Sequence, residues 1–304
     1  MCGIVGLFAK NPEFEHDLGR YFAPMLLEMT DRGPDSAGFA VYRDAVSGTE
    51  HKVTLLATGD LSWREFEVAA ESANVGFERI VVHDNHAVIV VAGDTEPFIA
   101  WVRGAYADLR VLSSGVAIEI FKACGIPEQV IERFGVNSMK ASHALGHTRM
   151  ATESAITTEH SHPFSTGDDL CLVHNGSLSN HNRLRRDLER RGVHFSTDND
   201  SEVAAGYLTW RLREGDSLEQ ALTHAIADLD GFYTFAVGTR DGFAVLRDPV
   251  ACKPAVLAET DHWVAMASEY RALAGLPGAA SARLWEPEPG RIYSWEHADS
   301  RASA

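Results

Sequence analysis

Cys2 is the first residue with chemistry of its own, because a thiol at the start of a chain brings a base with it. A free α-amine titrates near about 8 and sits within one residue of the sulfur. One amino acid then supplies both attacker and proton acceptor, and no histidine is required. The arrangement needs the loss of Met1; with Met1 retained, Cys2 is an ordinary residue of the apolar run behind it. Three later blocks match other requirements of amide hydrolysis. Gly146-His147-Thr148-Arg149 ends a predicted strand on an arginine, whose planar guanidinium suits a carboxylate held by two hydrogen bonds. Val173-His174-Asn175-Gly176 closes another predicted strand. Its Asn175 amide and Gly176 N–H could both face a developing oxyanion, although Asn-Gly taken alone reads more readily as a turn. Asp198-Asn199-Asp200-Ser201-Glu202 precedes a predicted helix and offers a carboxylate for an ammonium group, or simply a helix cap from Asp200 or Ser201.

The elements around these blocks must hold them together. Ile4 to Phe8 is a short apolar run suited to a buried strand, and Tyr21 to Met29 has helix-spaced apolar residues ending near Arg32-Gly33-Pro34. Further strands are expected at Gly38 to Tyr42, Val53 to Ala57, Ile80 to Val82, Ala87 to Val91, Leu145 to Arg149 and Cys171 to His174. Helices are expected at Pro97 to Ala105, Pro127 to Phe134, His181 to Arg191, Ser201 to Arg213 and Ser217 to Ala227, the last opening with a Ser217–Gln220 capping box. A strand meander follows: Phe232 to Gly238, Phe243 to Arg247, Ala255 to Ala258 and Trp263 to Ala267. Strands first, helices in the middle and strands last predict a layered α+β fold with helices packed on antiparallel sheets. No repeat or linker-like tract divides the chain, so residues 2–304 read as one domain.

Composition narrows the possible partners. The chain has 27 Lys+Arg against 43 Asp+Glu, a formal net charge of −16, which disfavours nucleic acid. The run from Arg183 to Arg191 alternates with Leu184 and Leu188 and reads as the solvated face of a helix. No segment approaches the roughly 20 apolar residues of a membrane helix, and no targeting signal stands at the N-terminus. A cytoplasmic location is the expectation. The four cysteines, at 2, 124, 171 and 252, lack metal spacing and disulfide density; the last three read as small buried hydrophobes. His83-Asp84-Asn85-His86, His143 with His147, and Glu159-His160-Ser161-His162 read as structural or loop histidines, so no metal and no cofactor are expected.

Taken jointly and in this order, Cys2-Gly3-Ile4-Val5-Gly6, Arg32-Gly33-Pro34-Asp35-Ser36-Ala37-Gly38, His147-Thr148-Arg149, His174-Asn175-Gly176 and Asp200-Ser201-Glu202 resemble class II, N-terminal-nucleophile (Ntn) glutamine amidotransferases. Asp230-Gly231-Phe232-Tyr233, Arg247-Asp248-Pro249 through Lys253-Pro254, and Ala267-Ser268-Glu269 are similar to the same domain in amidophosphoribosyltransferase. The resemblance implies a four-layer αββα sandwich. It makes Cys2 the nucleophile, Asn175 and Gly176 the oxyanion hole, Arg149 the holder of the glutamine α-carboxylate and Asp200 that of its α-amino group. Arg32 and Gly33 match the loop around the N-terminal residue. Thr152 falls in a segment resembling the loop over bound glutamine and joins the substrate-binding set. Met150 and Glu153 depart from residues common in relatives at those positions, an aromatic and a histidine. Residues from about 43 to 141 exceed the matching region of smaller relatives and read as an insertion. The resemblance further implies a separate subunit that passes ammonia to a partner synthase, of the FMN-containing glutamate synthase-like or N-methylglutamate synthase kind. A self-sufficient Ntn hydrolase acting on another amide, or a non-catalytic module that keeps Met1, are the alternatives.

Overall fold

The computed structural model describes residues 2–150 and 156–297. Its central element is the strand Gly3–Ala9, every residue of which is buried. That strand lies in a seven-stranded sheet between Trp263–Ala267 and His143–Arg149, and Ser36–Tyr42 and Ile118–Cys124 continue the sheet on the His143 side. A second sheet of five strands is ordered Ile292–Glu296, Gly242–Arg247, Gly231–Thr239, Leu170–Leu178, Phe164–Gly167. All of these pairings are antiparallel.

Pleat parity separates the layers. Ile4 and Phe8 of the first sheet meet Cys171, Val173, Ala236 and Phe243 of the second, forming the core between the sheets. The alternate residues Val5, Leu7 and Ala9 pack instead against Phe22 and Leu26 of the helix Leu18–Leu27. On the far side, Leu172, Phe235 and Leu246 pack against Val203, Tyr207 and Leu208 of the helix Asp200–Arg213 and against Leu222 of Leu218–Asp228. The layers are therefore helix, sheet, sheet, helix, the αββα sandwich the resemblance implies. The Ser217–Gln220 capping box forms as expected. Among the described residues no helix is long and apolar enough to cross a membrane.

The motif-free stretch 43–141 divides in two. Strands Glu50–Ala57, Phe77–His83, His86–Ala92 and Leu109–Gly115 make a separate four-stranded sheet, covered by helices Trp63–Ala73 and Glu96–Ala105 around Val53, Phe66, Ile89 and Phe98. Ile118–Cys124 belongs to the seven-stranded sheet, and Pro127–Phe134 packs on its helical side. Sequence patterning missed Leu109–Gly115 because Ser113, Ser114 and Gly115 end it without apolar alternation.

Two polar clamps tie the small sheet to the sandwich. Glu119 accepts hydrogen bonds from Lys52 Nζ (2.7 Å) and Arg43 Nε (2.8 Å), with the Lys52 and Glu119 side chains each 5% exposed. Asp169 accepts from the N–H groups of Val116, Ala117 and Ile118 at 2.8–2.9 Å. Removing one partner of a buried pair strands the other charge out of water. Glu119→Ala is therefore expected to lower unfolding free energy by about 3–5 kcal/mol, read from urea denaturation.

Candidate active site

The same pleat parity assembles the site. Cys2 precedes Ile4 by two, Arg149 follows Leu145 by four, and Asn175 follows Val173 by two, so all three share the face of a residue in the inter-sheet core. Gly3 pairs with Thr148, placing Cys2 at the end of its strand beside Arg149 on the next. The Cys2 carbonyl accepts from Arg32 Nε at 2.9 Å and from Asn175 Nδ2 at 3.2 Å. Three distant segments thus meet on one oxygen. Arg32 is held in turn by Glu269 Oε1 at 2.7 Å, and this hydrogen bond lowers the Glu269 carboxyl pKa from its ordinary value. The preceding Ser268 closes both backbone bonds of Ile4: its N–H donates to Ile4 O and its Oγ accepts from Ile4 N, both at 2.9 Å.

Close approach explains two glycines. A Cβ on Gly33 would fall 2.4 Å from Arg149 N, so only glycine lets the 32–33 loop abut the end of the His143–Arg149 strand. At Gly176, with φ +150, a Cβ would meet Phe232 O at 2.0 Å and His174 Nε2 at 2.8 Å. Asn175-Gly176 is not a turn. Its strand runs on to Leu178, with Asn175 opposite Thr234 and Gly176 opposite Tyr233. Pairing with Gly231–Thr239 overrides the local turn preference of the dipeptide.

The helix cap also differs from expectation. Asn199 caps Asp200–Arg213, its side chain accepting from Ser201 N at 2.9 Å, so neither Asp200 nor Ser201 serves that role. Asp200 Oδ2 accepts instead from Leu178 N at 2.9 Å, which brings the carboxylate beside the Asn175-Gly176 strand, its side chain 22% exposed. Met150, the departure from the family pattern, presents its carbonyl 4.0 Å from Cys2 Sγ. Thr152 and Glu153 lie outside the described residues.

A buried histidine group adjoins the site: His147 and His162, which the sequence places among structural or loop histidines, and His174 of the His-Asn-Gly block. The rings of His147 and His162 stack at 3.9 Å, and His147 Nε2 lies 3.1 Å from His174 O. Burial, chiefly, lowers all three: His147 to about 3, His162 well below its ordinary value, and His174 downward against the opposing pull of Asp200. Lys122 Nζ anchors the loop before His162 through Glu159 O and Ser161 O, at 3.1 and 2.9 Å. The signal available in sequence was only the histidine spacing, which does not reveal stacking.

Cys2 beside the Asn175-Gly176 strand and the Arg149 strand end, on an αββα sandwich, agrees with the class II amidotransferase fold. The chain belongs to the glutamine amidotransferase family. It is 53% identical to the glutamine amidotransferase-like protein GlxB of Rhizobium meliloti over 301 residues, covering 98% of this chain and 99% of that one. A relative from Methanothermobacter thermautotrophicus is 33% identical over 307 residues, covering 96% and 99%. Residues 147–275 match the glutamine amidotransferase domain family. Among solved structures, the glutamine phosphoribosylpyrophosphate amidotransferase from B. subtilis superposes with a TM-score of 0.61 at 19% identity, over 97% of this chain and 47% of that one. The chain thus spans about half the length of that enzyme, and the likeness is one of fold.

Neutral buried imidazoles couple folding to pH. Burial holds His86, His143 and His147 down to about 3 in the folded chain, while the unfolded chain protonates them near about 6.5. Between these values the unfolded state binds more protons. Their contribution is therefore complete above about 6.5 and is lost as pH falls toward 3, at up to about 1.4 kcal/mol per pH unit for each ring. Urea midpoints should drop from pH 7 to 5, and His143→Gln should make the decline shallower.

Proposed function

We propose that the chain hydrolyses the side-chain amide of glutamine through Cys2, after loss of Met1, and delivers the ammonia to a partner synthase. The observation that carries this reading is the Cys2 carbonyl held jointly by Arg32 and Asn175, which seats residue 2 against the Asn175-Gly176 strand. In this scheme the α-amine takes the thiol proton and the sulfur attacks the carboxamide carbon. The tetrahedral oxyanion is met by the Asn175 amide and the Gly176 N–H. Collapse breaks the C–N bond, the ammonium of residue 2 returns its proton to the leaving nitrogen, and ammonia departs. Water then cleaves the glutamyl thioester to glutamate and regenerates the thiol. Arg149 takes the substrate α-carboxylate and Asp200 its α-amino group; Arg32 and Gly33 shape the site, and Thr152 is assigned to substrate binding by the resemblance alone. No residue set in this scheme calls for a metal or cofactor.

The reading covers the whole chain as one amidotransferase domain, with residues 50–115 as the inserted unit. The likeness to the glutamine amidotransferase-like protein GlxB supports the amidotransferase part of the reading. An FMN-containing glutamate synthase-like or N-methylglutamate synthase subunit is the acceptor proposed.

The test of the chemistry is ammonia release from glutamine, with mapping of the residue labelled by a glutamine-analogue diazoketone. Label on Cys2, a first residue lacking Met1 by mass spectrometry, and background activity in Cys2→Ala are expected. Loss of a charged hydrogen bond costs about 1.5–3 kcal/mol, so Arg149→Ala should raise the glutamine KM by about 10- to 100-fold. Equal preference for asparagine or simple acyl amides would favour a hydrolase of another substrate. The partner is tested separately: native copurification should retain a flavoprotein synthase, whereas a free monomer with full regulated activity would argue for self-sufficiency.

A further inference from the structure

Ser201 stands at a junction that the proposed chemistry does not use. Its Oγ lies 2.8 Å from His162 Nε2, 2.8 Å from His174 Nδ1 and 3.3 Å from Asp200 Oδ1, and the residue is 1% exposed. A hydroxyl has one proton to give and two lone pairs to receive with. The Asp200 carboxylate only accepts, and a hydrogen bond to it is charge-assisted, so the hydroxyl proton goes there. Both imidazoles then donate to Ser201.

The rest of the pocket agrees with that assignment. His162 Nδ1 and His174 Nε2 are buried and have no hydrogen-bond partner among the described residues. If the protons sit on the nitrogens facing Ser201, what remains unpaired on each ring is a lone pair and not an N–H, the less costly of the two orphans. A buried, neutral ring pair is also what keeps the junction from competing for the carboxylate as a cation would. Asp200 is thereby fixed through both oxygens, Oδ2 by Leu178 N and Oδ1 by Ser201, while its side chain stays partly exposed.

We infer that Ser201 is a positioning residue, locked by His162 and His174, that aims the Asp200 carboxylate at the α-ammonium group of the substrate; the inference rests on the glutamine reading above. Without the hydroxyl, Oδ1 loses its donor and the carboxylate is held by the Leu178 N–H alone, so its orientation is less fixed. The reacting thiol and the α-carboxylate site are not touched by this change.

The experiment is Cys2 labelling by 6-diazo-5-oxo-L-norleucine and by 6-diazo-5-oxohexanoic acid, the same compound without the α-amino group. In Ser201→Ala the half-saturating concentration of the amino compound is expected to rise about 10-fold or more, with the limiting labelling rate within about 2-fold. The compound lacking the amino group should label Ser201→Ala and wild type alike, which also shows that the variant is folded. Ser201→Thr, which keeps the hydroxyl, should stay near wild type with both compounds. An unchanged Ser201→Ala, an equal weakening with both compounds, or a threonine variant that behaves like the alanine one would overturn the assignment. Absence of any label on wild-type Cys2 would overturn the glutamine reading itself, and the inference with it.

Discussion

The carbonyl oxygen of Cys2 accepts two hydrogen bonds that originate 30 and 173 positions along the chain, from Arg32 and Asn175. Because an oxygen has two lone pairs in fixed directions, both donors must arrive together for residue 2 to be seated. Each arrives through a different layer. Arg32 comes from the turn after the helix on the outer face of the first sheet, and Asn175 from the second sheet across the core. The site is consequently a property of the sandwich and not of any one loop. Displacing either sheet by a strand spacing would remove one donor.

Flanking interactions hold that arrangement in place. Glu269 and Ser268, on the loop after the neighbouring strand Trp263–Ala267, secure Arg32 and the backbone of Ile4. Gly33 and Gly176 let backbones meet at distances a side chain forbids. The neutral histidines near Asn175 fill a polar space without adding charge beside the Asp200 carboxylate and the Arg149 guanidinium. The four-stranded unit at 50–115 stands apart from this machinery, and its buried Lys52–Glu119 pair joins it to the edge strand Ile118–Cys124.

Much of this was readable in advance where a local physical cause operates. Apolar runs such as Ile4 to Phe8 and Trp263 to Ala267, the Pro127 start of a helix and the Ser217–Gln220 box became the elements expected of them, because burial, φ restriction and capping act within a few residues. The site blocks were recognisable by type and order through their resemblance to a family. The local alternatives, a turn at Asn175-Gly176 and a cap by Asp200 or Ser201, failed where a distant partner or a neighbouring residue decided the outcome. Asn175-Gly176 pairs with a strand nearly sixty residues away, and Asn199 supplies the cap while Leu178 engages Asp200.

By itself the sequence determined the alternation that divides inside from outside, the residue types capable of amide chemistry, and the acidic balance of the surface, since each is a property of composition or short-range spacing. Only the tertiary structure decided which of those residues share a face, which histidines stack, and which hydroxyl meets which carboxylate. The reason is geometric: hydrogen bonds are directional and short, so their partners are chosen by the packing of two sheets and a helix terminus, and that packing has no local signature in the chain.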